Sequence, residues 1–259
     1  MNLQLENKTA LVTGSTKGIG FAIARLLAAE GARVIVNGRG ADSTRQAAEK
    51  IGHGARGVAA DVSTAAGCAA LIRQAPSVDM LVNNAGVFEP KPFTEIPDAD
   101  WERFYQLNVM SGVRLSRAYL PGMLQRNWGR IIFISSESGV QIPEEMIHYG
   151  MTKAAELALV NGLAQLTRGT GVTVNAVLPG PTASEGVTEF VDRLASKAGQ
   201  TPDEFEKQFF RNVRPTSLLQ RFATVDEVAS MVAYLCSPLA GATNASAARV
   251  DGGVVRATV

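Results

Sequence analysis

Residues 8–20 read Lys8-Thr9-Ala10-Leu11-Val12-Thr13-Gly14-Ser15-Thr16-Lys17-Gly18-Ile19-Gly20, and the fold is decided here. The first part is a short apolar run suited to a buried strand. Beyond it Phe21, Ile23, Ala24, Leu26 and Leu27 recur at helical spacing. A strand, a glycine-rich turn and a helix start in that order make a phosphate site. Glycine lets the backbone approach an anion, and the unpaired N–H groups and dipole of the helix face it. The spacing Gly14-x-x-x-Gly18-x-Gly20 differs from the commoner Gly-x-Gly-x-x-Gly, and an ordinary tight turn would also use glycine.

Strand and helix go on alternating down the chain. Apolar segments at 33–37, 55–60, 79–82, 129–136, 172–178 and 247–250 read as strands; helical patterns include 97–126 and 224–235. This alternation predicts an α/β fold, a parallel sheet with helices on both faces. Residues 185–220 interrupt it with short helical patterns at 187–198 and 202–213, where Phe190, Phe205, Phe209 and Phe210 look exposed. Aromatics at that spacing suit packing or a small helical lid at a strand end. With no repeat or low-complexity linker, residues 1–259 are expected to form one domain.

Composition narrows the function. Hydrophobic residues make up 46% and charged residues 19%, a globular balance that argues against disorder. The net charge is +1, from 25 basic and 24 acidic residues with no basic run, so there is no electrostatic case for nucleic acid or an anionic membrane. Cys68 and Cys236 lack a metal-ligand spacing and suit a reducing compartment; His53 and His148 are too few for a histidine metal site. Residues 1–8 lack a leader pattern and no apolar run approaches the ~18 residues of a membrane span, so a cytoplasmic, unanchored protein is expected.

The second strand ends in Gly38-Arg39-Gly40. A site for NAD usually places a carboxylate about 20 residues beyond the glycines, whereas an arginine accommodates the 2′-phosphate of NADP. Arg39, with Lys17 inside the turn, therefore points to NADP(H), with NAD(H) left open; Asp42 is expected to cap the following helix. Asp61-Val62 ends the third strand, where the carboxylate suits either the adenine amino group or a helix N-cap. Asn83-Asn84-Ala85-Gly86 ends the fourth and suits a ligand-touching turn or an ordinary loop.

Tyr149 and Lys153 stand four apart at the start of an Ala-rich helical run, so they share one face. A phenol titrates near about pH 10 in water, and an adjacent cation lowers that value, fitting Tyr149 as a general acid or base. The 129–136 strand delivers Ser135 and Ser136 at its carboxyl end, where open α/β sheets bind ligands. A lone Tyr-x-x-x-Lys is also an ordinary surface pair, so context decides.

The context resembles the short-chain dehydrogenase/reductase family over nearly the whole chain. Thr13-Gly14-x-x-x-Gly18-Ile19-Gly20, Asp61, Asn83-Asn84-Ala85-Gly86, Asn108, Ser136, Tyr149-x-x-x-Lys153, Pro179-Gly180 and Val250-Asp251-Gly252-Gly253 appear in the family's order. The resemblance implies a single Rossmann-type doubly wound sheet of about seven strands carrying a nicotinamide cofactor. By position it implies that Tyr149 exchanges the proton, Lys153 lowers its pKa and holds the nicotinamide ribose, Ser136 donates to the substrate oxygen, and Asn108 holds a water. Cofactor contacts are implied for Gly14, Ser15, Thr16, Lys17, Gly18, Ile19, Gly20 and Arg39, then for Asp61, Val62, Asn83, Ala85 and Gly86. They continue through Tyr149 and Lys153 to Pro179, Gly180, Thr182 and Ser184. His148 points about 100° away from Tyr149 on a helix and is left out.

Three departures stand out. Ser184 replaces the family's usual Thr, Thr243-Asn244-Ala245 replaces a common Thr-Gly, and Glu137, Glu144 and Glu145 lie where small or apolar residues are common. A glutamate facing the pocket would favour a polar or cationic substrate; solvated loop acids are the plainer reading. The family also implies a homo-oligomer, often a tetramer, through helices near 100–126 and 148–168, with Ala158, Leu159, Leu163 and Leu166 either at that contact or packed on the sheet. The expected activity is hydride transfer between NADP(H) and a ketone or secondary alcohol. A 3-oxoacyl reductase and a catalytically silent cofactor-binding sensor or scaffold are the alternatives.

Overall fold

A computed structural model describes residues 2–188, 191, 195 and 199–257. Seven parallel strands form one sheet in the order β3-β2-β1-β4-β5-β6-β9. They are β1 (Thr9–Val12), β2 (Arg33–Gly38), β3 (Arg56–Ala59), β4 (Met80–Asn83), β5 (Gly129–Ile134), β6 (Val172–Pro179) and β9 (Ala247–Val250). Strand order reverses between β1 and β4, which opens a crevice beyond their carboxyl ends.

The central strands β4, β5 and β6 are buried on both sides, the edge strands β3 and β9 are partly exposed, and alternate side chains feed two cores. Ala10, Val12, Met80, Val82, Ile132 and Ile134 face a layer built by Ile23 and Leu27 of α1 (Gly18–Ala29), Ala47 and Ile51 of α2 (Ala41–Ile51), and Val228 and Val232 of α8 (Val225–Cys236). Leu11, Leu81, Ile131 and Phe133 face the other, built by Leu71 of α3 (Ala65–Gln74), Leu115 and Met123 of α5 (Ser111–Gln125), and Val160 and Ala164 of α6 (Ile147–Gln165). This is the doubly wound arrangement that the alternation predicts.

The expected helix over 97–126 is α4 (Asp98–Phe104), one π-helical turn (Tyr105–Met110) and α5 run together. Two short strands were not legible in the sequence: β7 (Thr182–Ala183) pairs with β8 (Ala223–Thr224), each too short to show a period. Within 185–220, α7 (Pro202–Asn212) starts with a capping box between Thr201 and Glu204. Its aromatics are not a bare exposed set, because Phe210 is 1% exposed, Phe209 is half-buried, and both rings lie 5.2 Å from Phe222. Phe190, and most of the helical pattern at 187–198, lie outside the described residues.

Asp42 is not the cap of α2. Gly40 holds that position, and Asp42 sits in the first turn beside Arg45. Among the described residues no helix is long and apolar enough to cross a membrane, and no group of His, Cys, Asp and Glu is placed to hold a metal ion. Ala158 on α6 and Leu166 just beyond its end are exposed, while Leu159 and Leu163 pack partly on the core.

Candidate active site

The glycine-rich turn leaves β1 at the crevice. Gly14 and Gly18 both have φ of 61°, in the left-handed region that favours glycine. A Cβ at Gly20 would lie 2.4 Å from Asn84 Nδ2 and 2.5 Å from the Gly14 carbonyl, so the turn closes on itself only without a side chain there. Thr13 and Asn84 hold it against β4: Thr13 Oγ1 accepts from the N–H groups of Asn84 and Ala85, and Asn84 Nδ2 donates to the carbonyls of Thr13 and Gly14. Ser15 is fully buried with its hydroxyl donating to Val12 and accepting from the Asn37 N–H, so that hydroxyl is spent inside the protein. Thr16 lies against Gly38, and Ile19 packs partly on the core.

The Gly18 N–H at the start of α1 donates to Glu185 Oε2 at 2.5 Å. A carboxylate therefore stands where the sequence reading puts a phosphate, and the turn accepts an anion as its geometry suggests. Ser184 lies beside the same turn, 3.3 Å from where a Gly18 Cβ would be. Lys17 and Arg39 are exposed, and among the described residues neither is in an ion pair. These groups fit a dinucleotide carrying an extra phosphate.

The remaining predicted cofactor contacts divide. Asp61 is exposed and accepts from the Ser63 N–H, while Thr64 caps α3, which removes the N-cap reading of Asp61. The Val62 side chain is in the core, and Asn83 turns its amide toward Ser116 of α5, so only their backbones can reach the crevice. Gly86 lies beside Asn108 Oδ1 and Lys153 Nζ, 3.3 and 3.7 Å from where its Cβ would be. Pro179 ends β6, Gly180 packs against Asp251 where no side chain would fit, and the Thr182 hydroxyl donates to the Gly180 carbonyl.

Asn108 occupies the π-helical turn, a place where helices commonly carry functional groups. Its Oδ1 accepts from the Val87 N–H, and its Nδ2 donates to the Val87 carbonyl and to Thr152 Oγ1, which fixes the amide beside α6. His148 is buried with its ring 4.1 Å from that of Phe104 and plays no part here.

Ser136, Tyr149 and Lys153 meet at the carboxyl end of β5. Lys153 is 4% exposed; its Nζ donates to the Ile134 carbonyl at 2.8 Å and lies 5.7 Å from the centre of the Tyr149 ring. The sequence reading missed its nearest charge, the buried Glu156, whose two oxygens lie 3.0 and 3.2 Å from Nζ. Its i,i+3 spacing from Lys153 was the available signal. Burial pushes the Glu156 carboxyl up to about 7, against the pull of Lys153. Burial works to lower Lys153, yet Glu156 and Tyr149 together hold the ammonium above its ordinary value.

Lys153 pulls the Tyr149 phenol down, in the expected direction. Burial pushes the phenol above its ordinary value and outweighs the downward pull of Lys153 and of the neighbouring Ser136 hydroxyl, with Glu137 and Glu156 adding to the rise. Lys153 thus acts in the expected direction without prevailing. Of the three loop acids, Glu144 is exposed and Glu145 half-buried, but Glu137 is 4% exposed and faces Ser136. Arg214, which bonds Glu137, was also missed, because nothing in the sequence links positions 77 residues apart.

Residues 8–195 match the short chain dehydrogenase family. The uncharacterized oxidoreductase YvrD of Bacillus subtilis (strain 168) is 48% identical, with 99% of each chain covered. A D-beta-hydroxybutyrate dehydrogenase of Cupriavidus necator is 36% identical over 97% of this chain and 99% of its own. Among solved structures, L-sorbose reductase from Gluconobacter frateurii, complexed with NADPH and L-sorbose, superposes with a TM-score of 0.94 at 32% identity, covering 99% of this chain and 100% of that one.

Proposed function

We propose that this chain, which belongs to the short chain dehydrogenase family, is an oxidoreductase that interconverts a ketone and a secondary alcohol with NADP(H). The observation that carries the reading is the meeting of Ser136, Tyr149 and a buried Lys153 off the end of β5, beside the turn on which Glu185 stands in for a phosphate. L-sorbose reductase, a relative in fold and sequence, holds NADPH.

The nicotinamide, when bound, supplies or accepts the hydride at the carbonyl carbon. Tyr149 gives the matching proton to the oxygen in reduction and takes it back in oxidation. Ser136, once its proton turns from Glu137, offers a second hydrogen bond to that oxygen, so charge developing there meets two donors. Lys153 offsets part of the rise that burial imposes on the phenol and would hold the nicotinamide ribose, while Asn108 positions α6 through Thr152. Arg39 and Lys17 would hold the 2′-phosphate, and the N–H groups of the glycine-rich turn, one of which now donates to Glu185, would hold the pyrophosphate. The two buried, unpaired cysteines suit the reducing cytoplasm, and the exposed Ala158 on α6 and Leu166 just beyond it suit a homo-oligomer.

The test is the dissociation constant for NADPH and for NADH, with Arg39→Ala and Lys17→Ala beside the wild type. NADPH is expected to bind at least tenfold tighter, about 1.4 kcal/mol, and either substitution to erase the gap. NADH binding equally well would overturn the 2′-phosphate site and favour an NAD-dependent alcohol oxidiser.

A further inference from the structure

A buried polar knot lies beside the Tyr149 phenol. The hydroxyls of Ser136 and Ser138 both donate to Glu137 Oε2, each at 2.6 Å. Arg214 Nε donates to Glu137 Oε1 at 3.2 Å, and its Nη1 donates to Glu145 Oε1 at 3.1 Å. Glu137 is 4% exposed and Arg214 8%. Arg214 reaches in from just beyond α7, so it ties that segment to the loop after β5. Two carboxylates share one guanidinium, which gives the knot a formal negative charge.

Ser136 has one proton, and here it lies on Glu137. To donate to a substrate oxygen, Ser136 must turn that proton away, which withdraws a donor from a buried carboxylate; an unsatisfied buried anion is costly. A hydroxyl on the carbon next to the carbonyl sits beside the same oxygen and can donate to Glu137 in the serine's place. A methyl group there leaves Glu137 short of a donor, and a carboxylate there brings a second anion against it. A site built to pair with a substrate hydroxyl discriminates strongly against the analogue that lacks it.

Resting on the carbonyl-reducing activity proposed above, we propose that Glu137, held by Arg214, makes this site selective for α-hydroxy ketones and the vicinal diols they yield, over plain ketones and keto acids. Glu137 is then a specificity-determining residue, and the substrate class is neutral and polyhydroxylated.

The probes are hydroxyacetone, 2-butanone, which has a methyl where hydroxyacetone has its hydroxyl, and acetoacetate. Reduction with NADPH gives kcat/KM for each, and ligand-observed NMR gives binding to the cofactor-free protein. Hydroxyacetone is expected to lead by at least about tenfold in kcat/KM and to bind more tightly, with Glu137→Leu narrowing the lead to about twofold. Should Glu137→Leu not fold, Ser138→Ala serves: it removes the carboxylate's other hydroxyl donor, so the preference should widen, and an unchanged preference contradicts the proposal. Equal turnover and equal binding of hydroxyacetone and 2-butanone by the wild type overturn the proposal and leave the hydride-transfer reading standing. Preferential binding of hydroxyacetone without turnover with NADPH or NADH keeps the recognition and removes that reading.

Discussion

Lys153 and Glu156 lie within one turn of α6, both almost fully buried, and their pairing sets the charge beneath Tyr149. A carboxyl raised from 4.5 to about 7 holds its proton more tightly folded than unfolded. Between those values the native state binds more protons, so the stability from Glu156 is full below the lower value and is lost as pH rises through the upper one. Glu156→Gln removes this dependence. Chemical denaturation from pH 5 to 8 should show wild-type stability falling relative to the variant as pH rises; a pH-independent difference would contradict the assignment. Tyr149 and Lys153 were legible because i,i+4 spacing and the order of motifs single them out. Arg214 and Glu185 were not, because their partners, Glu137 and Gly18, lie 77 and 167 positions away and only the folded chain brings them together.

The first turn of α1 and the segment after β7 meet through one hydrogen bond, from the Gly18 N–H to Glu185. A carboxylate at a helix N-terminus gains roughly 0.3–1 kcal/mol, and a phosphate arriving there must displace it. Glu185→Ala should therefore tighten NADPH binding by about two- to fivefold, read by fluorescence titration; weaker binding would show that Glu185 supports the cofactor instead. The strands of the main sheet were legible to within about two residues, since buried parallel strands are apolar runs bounded by turn residues. The π-helical turn at Asn108 was not, because apolar spacing through 97–126 does not distinguish one inserted residue from a regular helix. Nor were β7 and β8, whose two residues each pair only because β6 and α8 hold them side by side.

Across the molecule, the proposed site lies at the carboxyl ends of the strands, and the opposite ends carry stability. Arg130 shows the second: almost fully buried near the start of β5, it donates to the carbonyls of Gly129, Gly171 and Ser237 and lies 4.7 Å from the centre of the Trp128 ring. Arg130→Ala strands three carbonyls and should cost at least about 2 kcal/mol with NADPH affinity unchanged, as urea denaturation and cofactor titration would show; loss of affinity without loss of stability would contradict this division. The crevice at the reversal of strand order was legible from the alternation and the glycine-rich turn, whereas the charge balance around Tyr149 depended on burial that only packing determines. The most direct measurement is Tyr149→Phe, assayed for NADPH affinity and for NADPH-dependent ketone reduction in the same preparation. Affinity should stay within about twofold while turnover falls by at least about a hundredfold. A folded variant that turns over within tenfold of the wild type would contradict the assignment of Tyr149 as the proton donor.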